Sequence, residues 1–472
     1  MYNISVDSRI NVAYPNNLAD LLLSLSIMKN PKYIENIKMG RKQVVKVKGK
    51  WERVKPNIEV HSYDIGNRRI SFPIGLLSAL PEGTKFKDFR HKYPRAYEVN
   101  PNNNIQEREE QERAISELLK SERGILLAPC AAGKTLMGCK IIERTKCKTL
   151  ILVDQSILVS QWVEALSNYF FNADINVYSG KTKNIGDITV ATVQSVRNNL
   201  DLFKEAFGCV IVDECHKCPS NSFIKILDSI NAYYKYGFTA TLIRNDGLEQ
   251  FFSWFISDKV TSITVDEMQE KGYTLKPKLI QVNTGFEWAE TKLNKEGKID
   301  FNALVKDVVS DVERNNKIAR FIKEQIMPNT QGVTITLSKR VEHIEKLYEM
   351  YSENNSALLH GKITGKNREV EQDRISKGEV KIIFGTIDMF STGFNLPAAE
   401  SMFIVSPFSK YEGLLIQLFG RMLRPNPNEP DKVPKIYWAV DSKVGVLNQH
   451  WYKTKQICLT KLNADIGERM SL

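Results

Sequence analysis

The sequence predicts an α/β protein in which two tandem parallel-sheet domains are preceded by a small basic α+β domain. Three observations carry this reading. Short, fully apolar runs alternate with amphipathic stretches twice along the chain, as in strands buried on both faces of a parallel sheet. The 472 residues suffice for about three domains with cores of their own. The charge is unevenly spread: residues 1–100 hold 18 Lys+Arg against 9 Asp+Glu, a balance of +9 within a net charge of +11.

The first domain, residues 1–98, reads as a helix over Leu18–Met28 followed by two hairpins, one turning at Lys48-Gly49-Lys50 and one at Gly66-Asn67. From Lys38 to Lys55 there are eight cations and one acid. Lys46, Lys48, Lys50 and Arg53 therefore suit a polyanion such as a nucleic-acid backbone, although lysines on an edge hairpin also serve simply to keep it solvated. Pro94 and the run Asn100-Pro-Asn-Asn-Asn104 read as a linker, which makes the domain separable from the rest of the chain.

The first α/β domain, 105–283, has strand candidates at Gly124–Ala128, Thr149–Val153, Ile188–Ala191, Cys209–Val212 and Tyr236–Thr239. The second, 284–450, has them at Val333–Leu337, Ala357–Leu359, Val380–Phe384, Met402–Val405 and Ile436–Val440, and residues 451–472 read as a tail. A chain that is 42% hydrophobic and 26% charged is neither disordered nor collagen-like. It has no apolar run of membrane-spanning length and no signal-peptide pattern at its N-terminus, so a cytoplasmic location without membrane association is expected. The seven cysteines are odd in number and scattered, as reduced thiols are.

Chemistry concentrates in the first α/β domain. Ala128-Pro129-Cys130-Ala131-Ala132-Gly133-Lys134-Thr135 leaves an apolar strand and opens a helical run, the context of a phosphate-binding loop. Its backbone N–H groups can cradle phosphate oxygens, Lys134 can reach the terminal phosphates, and the Thr135 hydroxyl can ligate Mg²⁺. Asp213 and Glu214 end another apolar strand, where ligands of open α/β sheets bind: an Asp there can hold Mg²⁺ while its neighbour activates water. Cys215-His216-Lys217-Cys218 is half of a zinc site without a second half.

These two elements together resemble the DExH class of superfamily 2 helicases and translocases, in its XPB-like and UvsW-like branch, and further motifs fall in order. Arg108 to Ala114 resembles the adenine-reading glutamine motif, with Gln111 as the base reader and Arg108 beside it. Runs ending at Gln161-Trp162 and at Thr192-Val-Gln194 resemble the motifs that grip the strand. Gly237-Phe-Thr239-Ala-Thr241 resembles motif III, which with His216 couples hydrolysis to the nucleic acid. Thr336–Arg340 resembles motif IV, and the stretch with Thr386, Gly393 and Asn395 resembles motif V. Gln417, Arg421 and Arg424 match motif VI, whose arginines serve as fingers on the γ-phosphate. Three positions depart from the usual pattern, Ala131, Leu242 and Asn395, and none removes a group that touches phosphate or metal.

The resemblance implies two RecA-like domains that bind ATP and Mg²⁺ and act on DNA, single-stranded, forked or at junctions. It also points to a monomer in a microbial cytoplasm, or that of a host cell if the chain is phage-encoded. Protein partners are unknown. An RNA helicase, or a nucleic-acid-binding scaffold that has lost turnover, would share part of this pattern.

Overall fold

The structure is a computed structural model that describes residues 4–14, 16–31, 33–34, 44–47, 50–53, 59–66, 68–217, 221–242, 247–294, 297, 299–363, 365–391, 399–407, 412–420, 422–426, 429 and 431–472. The chain divides into two compact units, residues 1–128 with 133–263, and residues 129–132 with 264–472.

The first unit opens with β1 (Ile4–Val6), β2 (Arg9–Ala13), the helix Asn17–Leu25, β3 (Ile27–Lys29), β4 (Val44–Val47), β5 (Lys50–Arg53), β6 (Glu59–His61), β7 (Asp64–Gly66), β8 (Arg69–Pro73), a 3-10 turn Ile74–Ala79 and β9 (Lys87–Asp88). Asn16 starts the helix by accepting the Leu18 N–H at 2.9 Å, and Leu18, Ala19 and Leu22 bury its inner face. It stops short of Met28 because Ile27 and Met28 extend to pair with His61 and Val60 of β6. Strands β7, β8, β2, β1 and β9 form one sheet, with Ile4, Val6, Ile10 and Val12 on its buried face. In the basic hairpin β4 and β5 pair antiparallel, Val47 opposite Lys50. Lys48 lies outside the described residues, and only the backbone is described at Lys46, Lys50 and Arg53.

Residues 1–98 are not the detachable module that the linker suggests. Ile4, Val6, Phe72 and Ile74 belong to one continuous hydrophobic core with Phe207, Ile230, Phe252, Trp254 and Ile256 of the following α/β domain. Arg9 also forms an ion pair with Asp228, and the Trp254 indole N–H donates to the Leu25 carbonyl at 2.8 Å.

The α/β part of this unit holds β10 (Arg123–Leu127), β11 (Thr149–Val153), β12 (Ile175–Ser179), β13 (Thr182–Lys183), β14 (Ile188–Thr192), β15 (Cys209–Val212), β16 (Tyr234–Thr239) and β17 (Val260–Ser262), in the order β13-β12-β14-β11-β15-β16-β10-β17. All neighbours are parallel except the edge pair β12-β13. Every residue of β11, β14 and β15 is buried, as the apolar runs require. The phosphate loop and Asp213 both follow carboxyl ends of this sheet.

The second unit contains β18 (Lys278–Asn283), β19 (Val333–Ser338), β20 (Ser356–Leu359), β21 (Ile382–Thr386), β22 (Ala399–Ile404), β23 (Lys435–Val440), β24 (Asp465–Ile466) and β25 (Met470–Ser471). Their order is β20-β21-β19-β22-β23-β18-β24, with β25 also on β18, and all pairs are parallel. Two expectations change. Lys278–Asn283, read as the end of the first α/β domain, pairs along its whole length with β23. Residues 451–472 are no tail, since the helix Gly445–Leu462 buries Trp451 and Cys458 and leads into β24 and β25. A buried ion pair ties this unit together: Arg314 donates to Asp441 at 2.8 Å and to the Val405 carbonyl at 2.9 Å. The six described cysteines are free thiols, and Cys218 lies outside the described residues. Among the described residues no helix is long and apolar enough to cross a membrane.

Candidate nucleotide site

The loop after β10 turns through two left-handed residues before the helix Lys134–Thr145 begins. Gly133 (φ 79°) is the helix N-cap and has no Cβ to oppose that conformation. Ala131 (φ 69°) does have one and is strained there. Ala131→Gly is therefore expected to stabilise the protein by up to about 1 kcal/mol, readable as a rise in thermal midpoint. Lys134 spans the loop and donates from Nζ to the Ala128 carbonyl at 3.0 Å.

Gln111 sits against this loop. Its side chain is 2% exposed, its Oε1 accepts the Arg108 N–H at 2.9 Å, and a Cβ added to Gly133 would stand 2.4 Å from its Nε2. Any side chain at position 133 would thus collide with the glutamine amide as well as with its own backbone.

The carboxylates follow β15. Asp213 is 8% exposed; its Oδ2 accepts the Trp162 indole N–H at 2.9 Å, and its Oδ1 accepts the Glu214 N–H at 2.9 Å. Burial pushes the Asp213 carboxyl up to about 6, and the neighbouring Glu214 charge adds to the rise. The Trp162 bond and the Lys134 ammonium pull it back down. Glu214 holds a left-handed backbone (φ 50°), a rare state for a side-chain-bearing residue and one concentrated at functional sites.

His216 links these acids to the end of β16. Its Nδ1 lies 3.2 Å from Glu214 Oε2 and 3.2 Å from Thr239 Oγ1. The Thr239 hydroxyl donates to the Thr241 carbonyl at 2.7 Å and accepts the Thr241 N–H at 3.2 Å. Glu214, His216, Thr239 and Thr241 form a continuous polar path.

A family profile for the type III restriction enzyme res subunit matches residues 104–244, and the helicase conserved C-terminal domain profile matches residues 315–426. The chain is a superfamily 2 helicase. It falls in the XPB-like and UvsW-like branch. It is 24% identical over 361 residues to the DNA 3'-5' translocase XPB2 of Sulfurisphaera tokodaii, which covers 69% of this chain and 80% of that one. It is 23% identical to the ATP-dependent DNA helicase uvsW of Enterobacteria phage T4 over 379 residues, covering 76% of this chain and 73% of that one. The fold resembles the Hef helicase domain of Pyrococcus furiosus, with a TM-score of 0.50 and 15% identity over 75% of this chain and 99% of that one.

The helicase's remaining candidate residues are dispersed. Gln161 and Gln194 are exposed, whereas Thr192 is buried and donates from Oγ1 to Ser195 Oγ at 2.9 Å. Lys183 also reaches Ser195 Oγ, at 3.1 Å, a cation beside this motif that the sequence did not single out. In the second unit Thr386 is buried at the end of β21, Arg424 is partly buried, and Gln417 lies on the helix Glu412–Gly420 with only its backbone described. Gly393, Asn395 and Arg421 lie outside the described residues. Trp162 had no assigned role in the sequence, because its bond to Asp213 joins residues 51 positions apart.

Proposed function

We propose that the helicase hydrolyses ATP with Mg²⁺ and uses the cycle to move along and remodel DNA, acting as a monomer on single-stranded, forked or junction substrates. The observation that carries this is the Asp213-Glu214 pair at a strand's carboxyl end, joined through His216 to Thr239 and Thr241. A centre that only bound nucleotide would need no such path away from its carboxylates. The names of the relatives, a DNA translocase and a DNA helicase, support DNA as the track.

In this reading Lys134 and the loop 129–135 bind the phosphates, and Gln111 with Arg108 selects the base. Asp213 and Thr135 would hold Mg²⁺. Among the described residues no three His, Cys, Asp or Glu side chains cluster into a cage, and this donor set suits an ion that keeps waters and phosphate oxygens as its other ligands. When bound, Mg²⁺ neutralises phosphate charge. Glu214 orients the attacking water and takes its proton, and His216 reports the state of that site to Thr239. From the second α/β domain, Gln417, Arg421, Arg424, Gly393 and Asn395 complete the nucleotide contacts. Gln161, Thr192, Gln194 and Thr386 offer amide and hydroxyl donors to the backbone, with Lys46, Lys48, Lys50 and Arg53 extending that surface.

The test compares ATP turnover without nucleic acid and with single-stranded DNA, forked DNA, a four-way junction and RNA, with and without Mg²⁺. Stimulation by DNA above RNA is expected, and stimulation by RNA alone would replace the proposal with an RNA helicase.

The environment of Asp213 adds a pH signature. Protons compete with Mg²⁺ for this carboxylate below about pH 6, so at limiting Mg²⁺ turnover falls as pH drops through that value. Trp162→Phe removes a hydrogen bond to the charged form, worth roughly 1.5 to 3 kcal/mol, and moves this acid limb upward by about one to two pH units. An unshifted pH–rate profile would show that the indole does not tune the site.

A further inference from the structure

The hydrolytic centre and the N-terminal elements meet through one packed column. Its first joint is Gly237, in β16. A Cβ at this position would stand 2.9 Å from Cys215 Sγ and 2.9 Å from Ile256 Cδ1, so the two side chains together fill the space that a side chain at 237 would take. Cys215 directly follows Glu214, and Ile256 ends the helix Gln250–Phe255. Cys215, Trp254 and Ile256 have no exposed surface. A shift of the Asp213–His216 segment has no void to absorb it at this joint, because close-packed interiors transmit displacement.

The second joint is Gly75, in the turn Ile74–Ala79. A Cβ there would fall 1.8 Å from the Ser253 carbonyl oxygen and 2.6 Å from that of Trp254, so turn and helix touch backbone to backbone. Two hydrogen bonds fix the contact at either side: Trp254 Nε1 to the Leu25 carbonyl at 2.8 Å, and Ser78 Oγ to Asp258 Oδ1 at 2.9 Å.

We propose that the helix Gln250–Phe255 is the strut by which the hydrolytic centre positions the N-terminal elements, with Gly237, Ile256 and Gly75 as positioning residues at its two joints. The inference rests on the reading of residues 129–135 and 213–216 as the nucleotide site. It assigns the helix and its joints a role that fold alone does not require. The helix would carry the state of that site to the turn Ile74–Ala79 and to the N-terminal sheet whose strand β8 runs into that turn.

Ile256→Val tests this, since it deletes the Cδ1 atom that meets Gly237 and leaves the helix intact. It removes one buried methyl group, and Ile230→Val, equally buried in the same core but off the column, controls for the loss of stability that this brings. Amide hydrogen exchange of residues 74–79 is measured on the full chain with and without Mg²⁺ and a non-hydrolysable ATP analogue, and analogue affinity is measured separately.

In the wild type and in Ile230→Val, analogue binding should change exchange in this turn about threefold or more. In Ile256→Val the analogue should bind as well but leave the turn unchanged, and strand displacement per ATP hydrolysed should fall by a similar factor. A wild type that binds analogue without any change at 74–79, or an Ile256→Val variant that retains the change, overturns the strut. Failure of the wild type to bind analogue would instead overturn the nucleotide site on which the strut depends.

Discussion

Glu214→Gln is expected to cut ATP turnover by roughly a hundred- to ten-thousand-fold while leaving nucleotide binding within a few-fold of wild type. The amide matches the carboxylate in shape, so the left-handed turn at 214 and the backbone N–H bond from Glu214 to Asp213 Oδ1 persist. Lys134, Thr135 and Asp213 keep their places. What disappears is the group able to accept a proton from water, and with it the charge facing His216 at 3.2 Å. Two measurements check this: steady-state phosphate release, and binding of a fluorescent ATP analogue with Mg²⁺. Turnover within a few-fold of wild type would remove Glu214 from the role of base and leave it as a structural neighbour of Asp213. A parallel loss of binding would mean that the substitution had disturbed the loop rather than the chemistry.

The parts of this centre that were legible in the sequence are those whose signal is local. A phosphate loop shows itself because an apolar strand, a short glycine-bearing turn and a helix must follow one another within a few residues, and Gly124 to Arg144 does this in order. Asp213 and Glu214 were legible for the same reason, at the end of Cys209–Val212. The Trp162 bond to Asp213 was not, because it depends on how the helix Ser156–Tyr169 packs on the sheet so that its indole reaches the residue after β15, a relation between distant segments. Strands with mixed surroundings were also hidden. Ile175–Ser179 lies next to the two-residue edge strand Thr182–Lys183 and its residues are mostly half-buried, so it lacks the apolar run that marks β11 or β14. Asp465–Ile466 and Met470–Ser471 are too short to show any periodicity, and only their pairing with β18 identifies them.

The least legible feature leads to the largest expected effect. Residues 1–98 have enough apolar positions to suggest a core of their own, and the asparagine-rich run after them looks like a hinge. A protein lacking residues 1–98 is nonetheless expected not to fold into a soluble ATPase. Phe252, Trp254, Phe255 and Ile256 are buried in a core completed by Ile10, Leu22, Phe72 and Ile74, and truncation would hand that face to water. Each fully buried side chain of this size is worth about 1.5 to 3 kcal/mol, so uncovering four of them removes an amount comparable with the whole stability of a domain, about 5 to 15 kcal/mol. Asp228 would lose Arg9, and the Trp254 N–H would lose the Leu25 carbonyl, which adds unpaired polar groups to the exposed apolar ones. The expected outcome is aggregation on expression or a non-cooperative melt by circular dichroism. A soluble truncated protein melting within a few degrees of the full chain and hydrolysing ATP would show instead that the shared core is dispensable. The contribution of the basic hairpin to nucleic-acid binding is therefore better read from the intact chain with Lys46, Lys48, Lys50 and Arg53 neutralised. There the shared core is untouched, and each lost phosphate contact lowers the slope of binding against salt by about one.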